Sequence, residues 1–126
     1  MAVDRDRLAI DDLTVEAVRR NLAVEARVVD LEAGEVDLGR ELYDLIVVVH
    51  YLHRPLFPAL IRALAPGALL IYETFTVDQA RLGPANPDFL LQHGELRERL
   101  ASLTILRERD GVFEGRHVAA VAARED

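Results

Sequence analysis

Five consecutive aliphatic residues, Leu45-Ile46-Val47-Val48-Val49, stand between Tyr43-Asp44 and the polar string His50-Tyr51-Leu52-His53-Arg54-Pro55. The run is too short for a lone helix and rich in β-branched side chains, so it reads as a strand covered on both faces, in the middle of a sheet. In open α/β sheets, ligands sit beyond the carboxyl ends of the strands, and the change from aliphatic to polar at His50 marks such an end. A site is to be sought there.

The segments around this strand fix its company. Pro55 suits the first turn of a helix with Leu56, Leu60, Ile61 and Leu64 on one face, and Ala65-Pro66-Gly67 ends it. Ala68-Leu69-Leu70-Ile71-Tyr72 is then a second buried strand. Strand, helix, strand with short joints is a βαβ unit with parallel strands. Upstream, Ala2-Val3-Asp4 starts as if partway through a strand, and Leu8, Leu13, Ala17, Val18 and Leu22 give residues 5–22 one apolar helical side. A second reading makes Leu8 to Ile10 a strand and starts the helix at Asp12 or Thr14. Ala26 to Asp30 reads as a strand, and residues 32–40 as a solvated loop. Downstream, residues 76–94 are irregular and follow a strand's carboxyl end, which suits a lid. A helix from Glu95 to Leu100 and strands at Leu103 to Leu106 and Val118 to Val121 complete the chain, with turn signals at Asp110-Gly111 and Glu114-Gly115. The last two strands are joined directly and so pair antiparallel.

Composition narrows the function. At 126 residues, half of them hydrophobic, the chain fits one domain, residues 1–126, with a real core. All fifteen basic residues are Arg, and the net charge of -7 argues against holding nucleic acid by its phosphates. There is no Cys, hence no disulfide framework or thiolate chemistry. No apolar run approaches the ~20 residues of a membrane span, and the start lacks the pattern of a signal peptide. These features imply a soluble, cytoplasmic protein.

Several blocks, in order, carry a family resemblance: Ala2-Val3-Asp4-Arg5-Asp6, Val28-Val29-Asp30-Leu31-Glu32, Tyr43 to Val48, Leu64 to Ile71, and Tyr72-Glu73-Thr74-Phe75 followed by Asn86-Pro87-Asp88-Phe89-Leu90-Leu91. Together they resemble the later part of a class I S-adenosylmethionine-dependent methyltransferase, of the small bacterial tellurite-resistance type. The resemblance implies an α/β, Rossmann-like three-layer sandwich. Its sheet would be mostly parallel with an antiparallel C-terminal strand pair. It also implies S-adenosyl-L-methionine as cofactor and a small-molecule methyl acceptor. By residue, Asp4 matches the acid that holds the cofactor's ribose hydroxyls, and Asp30 the acid that meets adenine, with Leu31 beside it. His50 and Tyr51 would line the methionine portion, and Tyr72, Asn86 and Phe89 would face the acceptor. His50 or Glu73 would take a proton from an oxygen or nitrogen acceptor.

The family's first strand and its glycine-rich turn find no match. Glycines stand at 34, 39, 67, 83, 94, 111 and 115, and no two have the one-residue spacing of a Gly-x-Gly turn. In the family that strand is central, so its loss would leave two sheet edges unpaired. The chain then reads as N-terminally truncated, with the edges closed by another route or covered in a homodimer. The alternative function is a non-catalytic, methyltransferase-like remnant that serves as a binding or dimerisation module. His50 and His53, with His93 or Glu73, offer donors that suit zinc, yet two histidines three apart at a strand end are a weak signal, and no metal site is assigned. Arg97, Arg99, Arg107 and Arg109 read as partners of neighbouring acids on exposed faces, and His117 as a surface residue of the last hairpin.

Overall fold

The computed structural model describes residues 1–34, 36–82 and 86–126, with the side chains of residues 80–82 and 87 left aside. The chain divides into two compact units, Met1–Val36 and Asp37–Asp126, and each is built on its own sheet.

The first unit is a small βαβ of β1 (Ala2–Asp4), α1 (Arg7–Arg19) and β2 (Ala26–Val28). The strands pair in parallel, Ala2 opposite Ala26 and Asp4 opposite Val28. Asp6 caps α1: its carboxylate accepts from the amides of Leu8 and Ala9, a contact worth about 1 kcal/mol. The helix therefore starts before Leu8, and the strand reading of Leu8 to Ile10 gives way. Its packed side is also narrower than the apolar spacing predicts. Ile10 and Ala17 are buried, whereas Leu8, Val15, Val18 and Leu22 are exposed. A thirteen-residue helix carries more apolar surface than two three-residue strands can cover.

The second unit holds β3 (Tyr43–Val49), a 3-10 turn at Arg54–Leu56, α2 (Phe57–Ala63) and β4 (Leu64–Phe75), then 3-10 turns at Val77–Leu82 and Pro87–Phe89. It closes with α3 (Glu95–Arg99), β5 (Thr104–Phe113) and β6 (Arg116–Arg124). The order across the sheet is β3-β4-β6-β5. β3 and β4 are parallel, as the βαβ reading requires, and β4-β6 and β6-β5 are antiparallel. The hairpin turns at Glu114 and Gly115, both at positive φ, the geometry whose twist matches paired strands. Asp110-Gly111, expected as a turn, lies instead inside β5, opposite Ala119 and Val118. The pair at 114–115 wins because it leaves both strands long enough to align over nine residue pairs.

One face of this sheet is covered. Leu70, Tyr72 and Thr74 of β4 and Val121 and Ala123 of β6 are buried together, with Phe57 of α2 stacked on Tyr72 at 5.1 Å. Leu56 and Leu60 are buried as the helical spacing predicts, and Ile61 is half-buried. Leu64 is buried too, but as the first residue of β4: its backbone is already extended, so the helix stops at Ala63 and Ala65-Pro66-Gly67, expected to end it, lies inside the strand. The other face differs near β3: Leu45, Val47 and Val49 are each more than half exposed, and their partners Leu69 and Ile71 are exposed as well. β3 is thus the edge of its four-stranded sheet, with one open face. This corrects the expectation of a central strand buried on both sides, since pairing on one edge and packing on one face account for everything that covers it among the described residues. No helix among them is long and apolar enough to cross a membrane.

Candidate functional site

At the carboxyl ends of β3 and β4 the side chains turn polar together. Val49 and Glu73 are cross-strand partners, and the ladder continues one step further, with the His50 amide donating to the Glu73 carbonyl at 2.7 Å. His50 has φ 52°, a left-handed conformation that costs a non-glycine residue roughly 1–2 kcal/mol and that turns the chain out of the strand. Its imidazole stacks on Phe75 at 4.7 Å, and its Nε2 stands 3.7 Å from a Glu73 carboxylate oxygen. The other Glu73 oxygen accepts from Arg109 at 2.9 Å. Arg109 sits two strands away and reaches over because the residue between them, Ala120, is small. The result is a half-exposed row of imidazole, carboxylate and guanidinium. Such a row can accept a proton, orient an acceptor, or both.

Tyr72 plays a different part from the acceptor contact expected of it. It is 1% exposed, and its hydroxyl donates to the Tyr51 carbonyl at 2.6 Å. Burial pushes this phenol far above its usual range, so it stays a neutral donor. Tyr72 therefore positions the exit of β3 from beneath. Tyr51 is half-buried beside it.

Asn86 and Phe89 are both exposed, in the segment that enters the 3-10 turn at Pro87–Phe89. The Asn86 carboxamide oxygen accepts from the Asp88 amide at 3.0 Å, an Asx turn that shapes this corner. Gly83 and Pro84, also counted toward the lid, lie outside the described residues.

The segment is anchored by a pair that sequence reasoning missed. Arg54 makes two bonds to Glu95, at 2.6 and 2.9 Å, and donates to the carbonyls of Asp88 and Leu90. Glu95 is nearly buried, and Arg99 and the Gln92 amide also donate to it. The bond from Arg54, more than any other contact, lowers the Glu95 carboxyl to about 2. Forty-one residues separate the two, and nothing local in the chain announces them. Of the arginines read as surface partners, Arg97 meets Glu108, Arg99 meets Glu95 and Arg109 meets Glu73.

In the first unit, Asp4 ends β1 and Asp30 follows β2, so the parallel pairing brings both acids to the same end of that small sheet. Both are exposed, and each uses one oxygen in a tight turn, Asp4 to the Asp6 amide and Asp30 to the Glu32 amide. Leu31 beside Asp30 is half-buried. Of the histidines weighed as metal ligands, His93 lies with Asp78 and Asp110.

No family model matches the chain, and no curated protein matches it. Solved structures do. TehB from Haemophilus influenzae superposes with a TM-score of 0.77 at 18% identity, over 98% of this chain and 49% of that one. N-methyltransferase NodS from Bradyrhizobium japonicum WM9, in complex with S-adenosyl-L-homocysteine, gives 0.68 at 19%, over 98% and 64%. The [4+2]-cyclase SpnF gives 0.73 at 15%, over 98% and 64%. The chain thus spans about half of TehB and under two thirds of the other two. It has the Rossmann-like α/β fold of S-adenosylmethionine-dependent methyltransferases.

Proposed function

We propose that this chain binds S-adenosyl-L-methionine and takes part in methyl transfer to a small-molecule acceptor. The observation that carries the reading is the His50, Glu73 and Arg109 row at the carboxyl ends of parallel β3 and β4, in a fold that NodS uses with S-adenosyl-L-homocysteine bound. That SpnF, a cyclase, shares the fold shows why the fold by itself does not settle the reaction. When bound, the cofactor supplies a methyl group made electrophilic by its sulfonium. The protein's work is then to hold, align and keep dry. Asp4 and Asp30 suit the cofactor's ribose and adenine, because each is exposed at a strand end and a carboxylate can accept from a diol or an amine. Leu31 supplies apolar contact. His50, with Tyr51 beside it, faces the reacting end, and His50 or Glu73 takes the proton that an oxygen or nitrogen acceptor loses. Asn86 and Phe89 contact the acceptor, while Tyr72 acts through the Tyr51 carbonyl. The protein works in the cytoplasm.

The 126-residue chain on its own binds weakly, since none of its glycine pairs has the Gly-x-Gly spacing. Calorimetry with S-adenosyl-L-homocysteine tests this. Millimolar binding is expected, weakened roughly tenfold by Asp4→Ala or Asp30→Ala, the loss of one charged hydrogen bond. A folded chain that releases no heat at millimolar ligand ends the proposal.

A second reading, a non-catalytic module that pairs with its own copy, draws on the open edge of β3 and the exposed face of Leu45, Val47, Val49, Leu69 and Ile71. Light scattering decides it. A dimer that Val47→Arg dissociates supports the module, and a monomer at high concentration removes it.

A further inference from the structure

Three donors from three separate segments converge in the second unit, none of them a member of the row at His50. Asp78 lies in the 3-10 turn that follows β4, His93 in the turn before α3, and Asp110 in β5. One ligand atom from each lies within 4.8 Å of the other two. We infer that Asp78, His93 and Asp110 form a binding site for a divalent transition-metal ion, zinc best of all, with a fourth position left for water.

The donor set is mixed. An imidazole nitrogen beside two carboxylates suits zinc and its neighbours better than calcium or magnesium, which take oxygen ligands almost alone. The spacing fits as well. Ligands held tetrahedrally at ~2.1 Å stand roughly 3.4 Å from one another, and His93 Nε2 already lies 3.5 Å from an Asp78 oxygen. The Asp110 oxygen lies within 4.8 Å of both, and its side chain is exposed on the strand, where side chains change rotamer most freely. Two carboxylates together leave a charge that a dication balances.

The backbone beneath is fixed before any ion arrives. Thr76 bridges to Leu91, the Leu91 amide donates to the Phe75 carbonyl at 2.9 Å, and the Val77 amide donates to the Leu91 carbonyl at 2.9 Å. These bonds join the segments that carry Asp78 and His93. The Thr76 amide donates to the His117 carbonyl and the His117 amide to the Gln79 side chain, which ties the same turn to β6. β6 in turn sets Asp110 opposite Ala119. A bound ion would brace the turn after β4 against β5. The ordinary explanation is an exposed His93 beside a half-buried Asp78 with a second acid nearby, and the two make different predictions.

The test is calorimetry of the full chain, produced without a histidine tag and stripped with chelator, titrated with zinc chloride. One equivalent is expected to bind. His93→Ala and Asp110→Asn should each lower the affinity tenfold or more, and Asp12→Asn, on α1, should leave it unchanged. Zinc should also raise the melting temperature of the native chain but not of His93→Ala, with circular dichroism confirming that the variants are folded. No stoichiometric binding by the native chain overturns the inference, and so does binding that survives both substitutions.

Discussion

The two faces of the four-stranded sheet are built from almost the same residues and live in different surroundings. On β4, Leu70 and Tyr72 are completely buried, while Leu69 and Ile71, one residue away on the opposite face, are more than a third exposed. The covered face is layered. Tyr72 lies under Phe57, the Arg99 guanidinium stands 5.7 Å over the Phe57 ring, and Arg99 shares Glu95 with Arg54. A packed sheet face is thus coupled outward, through an aromatic pair, to the ion pair that anchors the segment bearing Asn86 and Phe89. The open face has no such layering among the described residues. Its apolar side chains are what a partner, or a further part of a longer protein, could use. The difference teaches that an aliphatic strand sequence reports what a face could bury, not what it does bury.

The sharpest way to break this contrast is to remove the outermost layer of the covered face. Arg54→Ala takes two charged hydrogen bonds from the nearly buried Glu95 carboxylate and leaves it to Arg99 and the Gln92 amide, and a loss of roughly 3 kcal/mol in urea unfolding is expected. A loss below about 1 kcal/mol would mean that the pair anchors nothing. Leu70→Ala should come next, at about 3 kcal/mol from lost burial plus the cavity left behind, whereas Ile71→Thr on the open face should stay within about 0.5 kcal/mol. If Ile71→Thr instead costs as much as Leu70→Ala, the open face is covered in solution.

Acid sharpens the same comparison. The folded-state pKa of Glu95 is depressed, so its contribution is fully present above the ordinary carboxyl value of 4.5 and is lost as pH falls through about 2. Stability should therefore decline across that window, and Glu95→Gln should flatten the decline as well as lower the starting stability. An unchanged slope in the variant would place the acid sensitivity elsewhere. A small effect of the opposite sign is expected at Thr76, whose fully buried hydroxyl finds no partner among the described residues. Thr76→Val should be neutral or stabilising by up to about 1 kcal/mol, since it removes an unmet polar group at constant shape. A clear loss would reveal a partner for that hydroxyl.

Much of the second unit was legible because its signals are local. Pro55 and the spacing of Leu56 and Leu60 announce α2 though not its end at Ala63, the apolar runs place β3 and the middle of β4, and Glu114-Gly115 makes the hairpin. The resemblance led to the same Rossmann-like fold that the solved structures show. At the hairpin the misreading arose where two local signals competed. Asp110-Gly111 is as good a turn dipeptide as its neighbour, and only the alignment of β5 with β6 chose between them. The candidate site was legible at His50 and Glu73, which stand where strands end. It was not legible at Arg54 and Glu95, nor at Asp78, His93 and Asp110, whose partners are set by chain paths tens of residues long.

By itself, then, the sequence determined which segments become strands and helices, where β3 stops, and that acids and histidines gather at strand ends, because periodicity and turn chemistry act over a few residues. Tertiary structure alone decided which face of β4 is sealed, that Ala120 lets Arg109 reach Glu73, and that Arg54 closes on Glu95. Those outcomes depend on which strand lies beside which. That choice is made by packing across the whole sheet, and no short stretch of chain encodes it.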